Sequence, residues 1–262
     1  MMSKRTKFWL LTAAALVSVG AILFGGVMTV LKWDFTKLST TKHETNTYEI
    51  TEVFTGISVD TDTANVIFKV SADGKSKVEC FEESKGKHTV SVQDGILTIS
   101  NKPEKAWYDH IGINFTAPKI TITLPQAELE SLTLKLSTGK VLLEKLNVGD
   151  LDISVNTGKV ILTDIVCKSL TSTGNTGDID LKNVVAAETF SITRTTGDIS
   201  FDSCDAAQIT ATTNTGDIEG SLLTDKVFIA QTSTGDIELP DTSTGGTCKL
   251  RTTTGDIEIT IK

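Results

Sequence analysis

Phe190-Ser191-Ile192-Thr193-Arg194-Thr195-Thr196-Gly197-Asp198-Ile199-Ser200-Phe201 is one copy of a unit that returns throughout the second half of the chain. Its centre, Thr-Gly-Asp-Ile, stands at 176–179, 196–199, 215–218, 234–237 and 254–257, and as Thr-Gly-Lys-Val at 138–141 and 157–160. Successive glycines are 19 or 20 residues apart. A fixed period of that length is the mark of a solenoid.

Alignment on the glycine sorts the remaining positions by polarity. Seven residues before it stand Leu132, Leu151, Leu170, Phe190, Ile209, Phe228 and Cys248. Two after it stand Val141, Val160, Ile179, Ile199, Ile218, Ile237 and Ile257; four after it, Leu143, Leu162, Leu181, Phe201, Gly220, Leu239 and Ile259. A spacing of two between apolar columns is the strand period, so each coil reads as strand, glycine corner, strand and a looser return near 147–150. Glycine reaches positive φ without a Cβ clash, which a repeated sharp bend needs. Coils about 4.8 Å apart in chain order then build an all-β fold, a parallel β-solenoid, right-handed by the crossover rule. A leucine-rich repeat has a similar length, but its consensus and helical back are missing here.

Upstream, 45–129 carries strand-like runs such as Val66-Ile67-Phe68-Lys69-Val70 and Ile120-Thr121-Ile122-Thr123-Leu124, with Asp73-Gly74 and Asp94-Gly95 as hairpin-turn signals. We read it as atypical capping coils with hairpins, closing an end that a solenoid must cover. Phe8 to Leu31 is 24 residues without an ionisable side chain, preceded by Lys4, Arg5 and Lys7. As a helix it spans about 36 Å, enough for a hydrocarbon core of about 30 Å. A cleaved signal peptide is the competing reading, but its apolar region is usually about 7 to 15 residues. The expected organisation is a cytoplasmic basic tail (1–7), an uncleaved transmembrane anchor (8–31), a polar stalk (32–44), the capping segment (45–129) and the repeat (130–262). The basic N-terminus places the rest of the chain outside.

The 262 residues are 39% hydrophobic and 22% charged, with a net charge of −8, which excludes a disordered or collagenous chain. Residues 176–262 hold six Lys/Arg against fourteen Asp/Glu, the whole of the imbalance. An acidic chain lacks the basic face that nucleic acid requires.

The Val90 to Ile99 segment, the strand end Ile122-Thr123-Leu124-Pro125 and the tandem Thr-Gly-Asp-Ile phrases resemble the "putative adhesin" β-strand-repeat domain family, a domain of unknown function found in Lia-type cell-envelope stress proteins. The resemblance covers about 45–262 and implies a β-helical surface domain. Lys140 and Lys159 depart from its Asp, so a role for that Asp does not extend to the first two coils.

The acidic columns Asp178, Asp198, Asp217, Asp236, Asp256 and Asp180, Glu219, Glu238, Glu258 are the candidate binding site, both facing outward because the Ile column between them faces in. Neighbouring carboxylates at about 4.8 Å repel by roughly 0.9 kcal/mol in water, so something offsets them. Either each Asp accepts backbone N–H bonds, or the stripe takes a cationic peptide, a divalent cation or an envelope component. The Thr column before the glycine suggests hydroxyl ladders between coils. Arg194 interrupts an otherwise apolar, Gly or Thr column and reads as a surface ion pair. Cys204 and Cys248 fall in buried columns about two coils apart, too far for a disulfide, and Cys80 has no visible partner. No Cys pair has C-x-x-C spacing and His43, His88 and His110 lie outside the repeat, so no metal or cofactor is implied. The leading expectation is a non-enzymatic, single-pass envelope module for binding or stress response. A glycan-active β-helix enzyme, with Arg194 and acidic neighbours in a cleft, and a purely structural spacer are the alternatives.

Overall fold

The structure is a computed structural model and describes residues 3–38, 43–84, 86–101, 116–125 and 128–262. It divides into two units, residues 1–42 with 106–116, and residues 43–105 with 117–262. The first holds α1 (Lys4–Val30) and a single 3-10 turn (Phe35–Leu38). Ser3 caps α1, its hydroxyl accepting from the Thr6 N–H at 3.2 Å. The hydroxyls of Thr12, Ser18 and Thr29 donate to the carbonyls of Phe8, Ala14 and Gly25 one turn back, which satisfies them without water. Leu11, Leu16, Val17, Ile22 and Leu23 are exposed. The helix is long and apolar enough to cross a membrane.

Among the described residues the second unit is one wound sheet of 17 strands, not closed into a barrel. Strands β8 (Glu128–Thr138), β9 (Val141–Thr157), β10 (Val160–Thr176), β11 (Ile179–Thr196) and β12 (Ile199–Thr212) stack in parallel, each on the next. The register is the one the glycine alignment requires: Val141, Val160 and Ile179 pair in one column and Leu151, Leu170 and Phe190 in another. These columns are the core, with Val160, Ile179, Ile199, Ile218 and Ile257 fully buried and Glu219 exposed. Each such aliphatic side chain contributes about 1.5 to 3 kcal/mol on leaving water.

The return is tighter than the sequence suggests. A second corner sits six residues after the glycine, where Lys145, Asp164, Asn183 and Ser203 all adopt φ between 52° and 58°. Asp and Asn tolerate this left-handed conformation, and here the Asn183 amide donates to the Asp164 carboxylate at 2.9 Å, tying two corners together. A register shift at Cys167/Ser169 and at Ala186/Thr189 makes the remaining bend.

Coil order departs from chain order at both ends. After β13 (Ile218–Leu222) the chain runs through β14 (Lys226–Gln231) and β15 (Ile237–Glu238), then β16 (Gly246–Arg251) and β17 (Ile257–Ile261). β16 pairs with β12 on one side and β14 on the other; β17 lies between β13 and β15. The last coil is therefore inserted beneath the one before it, and the coil of Gly235 is outermost, which is why Ile237 is 44% exposed while its column mates are buried. Chain-order stacking fails here, and with it the two-coil separation expected between Cys204 and Cys248.

The other end repeats the arrangement. β2 (Gly56–Thr63) and β3 (Asn65–Val70) form a coil that pairs with β8 and β9 on one face and with β6 (Ile96–Asn101) and β7 (Lys119–Leu124) on the other. β4 (Ser76–Glu83) joins β7 and β1 (His43–Ile50) antiparallel, and β5 (His88–Gln93) joins β6. Asp94-Gly95 makes the expected tight hairpin, both residues at positive φ. Asp73-Gly74 does not: β3 and β4 flank β7 instead of pairing with each other.

At each corner the glycine packs backbone on backbone. A Cβ on Gly216, at φ 141°, would fall well under 3.0 Å from the Gly197 carbonyl, whereas Gly74, also at positive φ, has nothing within 4 Å. Gly74→Ala should therefore cost about 1 to 2 kcal/mol through its conformation alone, and Gly216→Ala more than about 3 kcal/mol. Comparable denaturant midpoints for the two variants would refute the close-approach account.

Candidate functional site

The acidic face lies between the two corners of each coil. In spatial order its first column is Asp178, Asp198, Asp217, Asp256, Asp236, and its second is Asp180, Ser200, Glu219, Glu258, Glu238. The structure brings all nine predicted acidic residues onto this one face.

The two columns are chemically distinct. In the first, Oδ1 of each Asp accepts the backbone N–H of the next Asp: Asp178 from Asp198 at 3.3 Å, Asp198 from Asp217 at 2.9 Å, Asp217 from Asp256 at 2.8 Å and Asp256 from Asp236 at 2.8 Å. Asn65 performs the same task for Lys140 at 2.9 Å. Thr63-Ala64-Asn65-Val66 is thus a degenerate copy of the corner phrase, its Thr63 paired with Thr138. The ladder needs an acceptor oxygen more than it needs a charge.

The second column makes no such ladder. Asp180 is held by Lys159 at 2.8 Å, and Lys159 also reaches Asp178 at 3.4 Å, so the two carboxylates of the first Asp row share one ammonium where the Lys phrases end. These carboxylates hold the Lys159 ammonium above its ordinary pKa, the hydrogen bond to Asp180 first among the causes. Glu219, Glu238 and Glu258 are exposed, with one long contact of 3.4 Å from the Ser200 hydroxyl to Glu219. A shallow open groove of about 550 Å³ runs along this column, bordered by Asp180, Glu219 and Glu258 and by Lys182 and Lys262, with the buried Leu181 and Phe201 beneath it. Gly220, at φ 130°, stands where other coils carry Leu, Phe or Ile, and a Cβ there would fall on the Phe201 carbonyl. Lys262 bonds Asp202 at 2.6 Å and lowers its pKa, that hydrogen bond being the largest cause.

Arg194 is not a surface ion pair. It is 2% exposed, donates to the Ser172 hydroxyl and the Thr193 carbonyl, both at 2.9 Å, and lies against Gly174. Burial pulls its pKa down to about 10, against the opposing effect of Asp178. Ser172 and Gly174, smaller than their column mates, make the room for it. Lys226 is likewise buried, paired with Asp205 at 2.5 Å. The ladder expected of the Thr column is displaced: among the described residues its hydroxyls make no side-chain bond, while Thr213, Thr252 and Thr232, three before the glycine, donate to the carbonyls of Gly197, Gly216 and Gly255. All four cysteines are free and buried. Burial raises the Cys80, Cys167 and Cys248 thiols to about 12 and Cys204 to about 11.

One cluster was not visible in the sequence. Cys80, Glu82 and His88 converge in the capping segment, their ligating atoms within 4.8 Å of one another. The alternation of Cys80 and Glu82 on β4 was a signal that they share a face, but nothing local points to His88.

A wound β-solenoid with an acidic corner ladder defines a class of β-repeat domain. The chain matches the Toastrack DUF4097 family over residues 54–262 and belongs to it. Among solved structures it is similar to a Bacteroides fragilis protein described as a "putative adhesin", with 21% identity, 84% of this chain and 97% of that one covered, and a TM-score of 0.54. It is also similar to a "putative lipid binding protein" of Parabacteroides distasonis, with 14% identity, coverage of 85% and 98%, and a TM-score of 0.48. The first likeness supports the fold. A search of curated proteins finds no match.

If the Asp column is a hydrogen-bond ladder, Asp217→Ala orphans the Asp256 N–H and should lower stability by about 1 to 2 kcal/mol. Asp217→Asn, which keeps the acceptor, should retain most of it. Asp236, the outermost rung, accepts from no neighbouring coil among the described residues, so Asp236→Ala should be near neutral. Urea midpoints of the three variants test the order.

Proposed function

We propose that the chain is a membrane-anchored, extracytoplasmic, non-enzymatic binding module of the cell envelope, whose acidic face takes cationic partners. The observation that carries this reading is the exposed glutamate column beside an already satisfied Asp ladder. Of the six cations in 176–262, Arg194 and Lys226 are buried and Lys262 is paired with Asp202. Each lysine pair cancels an aspartate, so burial withdraws only the Arg194 charge from the exposed balance. Such a stripe concentrates cations and raises their on-rate, with a range set by a Debye length of about 10 Å at 0.1 M salt. Residues 8–31 are the anchor in this reading, with 32–44 as stalk, 45–129 as cap and 130–262 as the binding solenoid.

The enzyme reading asked for Arg194 in a cleft with acidic neighbours. Arg194 faces the core and does not line the groove, so that reading has lost its residue. The spacer reading keeps the Asp ladder but leaves the glutamates without a task.

Glu219→Gln, Glu238→Gln and Glu258→Gln together should weaken binding of a basic amphipathic peptide several-fold at low salt and flatten its salt dependence, with the far-UV spectrum unchanged. Binding that is unaltered and salt-insensitive would leave the face a structural element. For topology, protease added to intact cells should remove residues 43–262 and leave a short protected anchor. Survival until the membrane is broken would reverse the orientation.

A further inference from the structure

Glu82 and His88 are 1% and 4% exposed, and Cys80 is fully buried. Glu82 Oε2 lies 2.6 Å from His88 Nδ1 and also accepts the His88 backbone N–H at 2.7 Å; Oε1 accepts from the Asn46 amide at 2.7 Å. On the far side of the ring, Nε2 lies 2.9 Å from the Thr61 hydroxyl. A carboxylate oxygen and a ring nitrogen at 2.6 Å cannot both be bare acceptors, so a proton lies between them, the place an ion would take on drawing the two atoms apart. Cys80 turns its thiol to the same point and makes no hydrogen bond among the described residues, whereas Cys204 Sγ donates to the Leu181 carbonyl at 3.4 Å.

We propose that Cys80, Glu82 and His88 bind a divalent transition-metal ion of borderline softness, Zn²⁺ foremost. Sulfur, imidazole nitrogen and carboxylate oxygen are the zinc donor types, and the thiolate disfavours the hard ions Ca²⁺ and Mg²⁺. Binding displaces one proton, that of the thiol, while the ring proton moves from Nδ1 to Nε2. Zn²⁺ with thiolate and carboxylate is then neutral, where a thiol, a neutral ring and Glu82 leave a buried negative charge. The surrounding bonds have the form of an outer shell. With Nδ1 on the metal, Nε2–H donates to Thr61, and Asn46 orients the carboxylate. A water completes four-coordination. The ion joins β1, β2, β4 and β5 at the capped end, away from the acidic face, so its failure leaves the cationic-partner reading untouched.

The full-length chain in detergent micelles, stripped with a chelator, is titrated with Co²⁺ and then Zn²⁺. One equivalent of Co²⁺ should bind with a thiolate-to-cobalt charge-transfer band, Zn²⁺ should displace it, and the melting temperature should rise. Cys80→Ala, which keeps the Asn46–Glu82–His88–Thr61 network, should abolish the band, and Cys167→Ala should not. Zinc-edge X-ray absorption of the wild type should show one sulfur at about 2.3 Å among nitrogen and oxygen ligands, a readout independent of whether the variant folds. No binding, a band that survives Cys80→Ala, or a zinc shell without sulfur would overturn the proposal and leave a proton between Glu82 and His88.

Discussion

The fold rests on a steric constraint at the glycine corners. Each corner carbonyl points at the Cα of the glycine in the neighbouring coil, so only a residue without Cβ fits, and only one that adopts φ between 124° and 152°. That approach brings the Gly N–H within 2.8 to 3.0 Å of the neighbouring Thr carbonyl, and the Ile N–H as close to the neighbouring Asp carbonyl. Everything outside the corner inherits this spacing: the buried Ile column, the Thr hydroxyls on the glycine carbonyls, and the Asp rungs. Ala64, the corner of the β2–β3 coil, carries a Cβ, and it stands at the far side of Gly139 where its own carbonyl, not its side chain, meets the next coil.

Inserting the first and last coils beneath their neighbours changes how such a stack loses order. In a solenoid with sequential coils the terminal unit frays first, because it has one neighbour and a free end. Here β17, near the C-terminus, has strands on both sides, as does the coil of β2 and β3. The segments left at the outer faces are internal to the chain and tethered at both ends. Loss of the outermost coil then requires opening a loop, not release of a tail. Its edge is also blunted by brevity, since β15 has two residues and runs into Pro240.

What was legible in the sequence is what repeats. The 19–20-residue period, the inward columns and the outward acids follow from spacing alone, because a strand alternates faces whatever lies beside it. Neighbour order does not: Thr-Gly-Asp-Ile at 234 and at 254 are nearly identical edges, and either fits on the coil of Gly216. The second corner was half legible, since Asp164 and Asn183 are residues that tolerate positive φ, while Lys145 and Ser203 are not distinctive. The sequence marks Arg194 as anomalous in its column but not its environment, because the space that receives it is made by Ser172 and Gly174 one coil away. His88 meets Cys80 and Glu82 through the packing of separate antiparallel pairs, and no local pattern records that meeting.

The two acidic columns divide structure from chemistry. A carboxylate at about 4.8 Å from its neighbour meets repulsion near 0.9 kcal/mol, while a hydrogen bond to a charged acceptor returns about 1.5 to 3 kcal/mol. In the Asp column the bond exceeds the repulsion, so the charge there is compatible with a purely structural role. Asn65, filling the same position without charge, shows that the ladder does not demand it. The Glu column has repulsion and no comparable bond, and its side chains reach into water. Folding alone gives no reason for carboxylates in that column, where Ser200 serves one coil equally well.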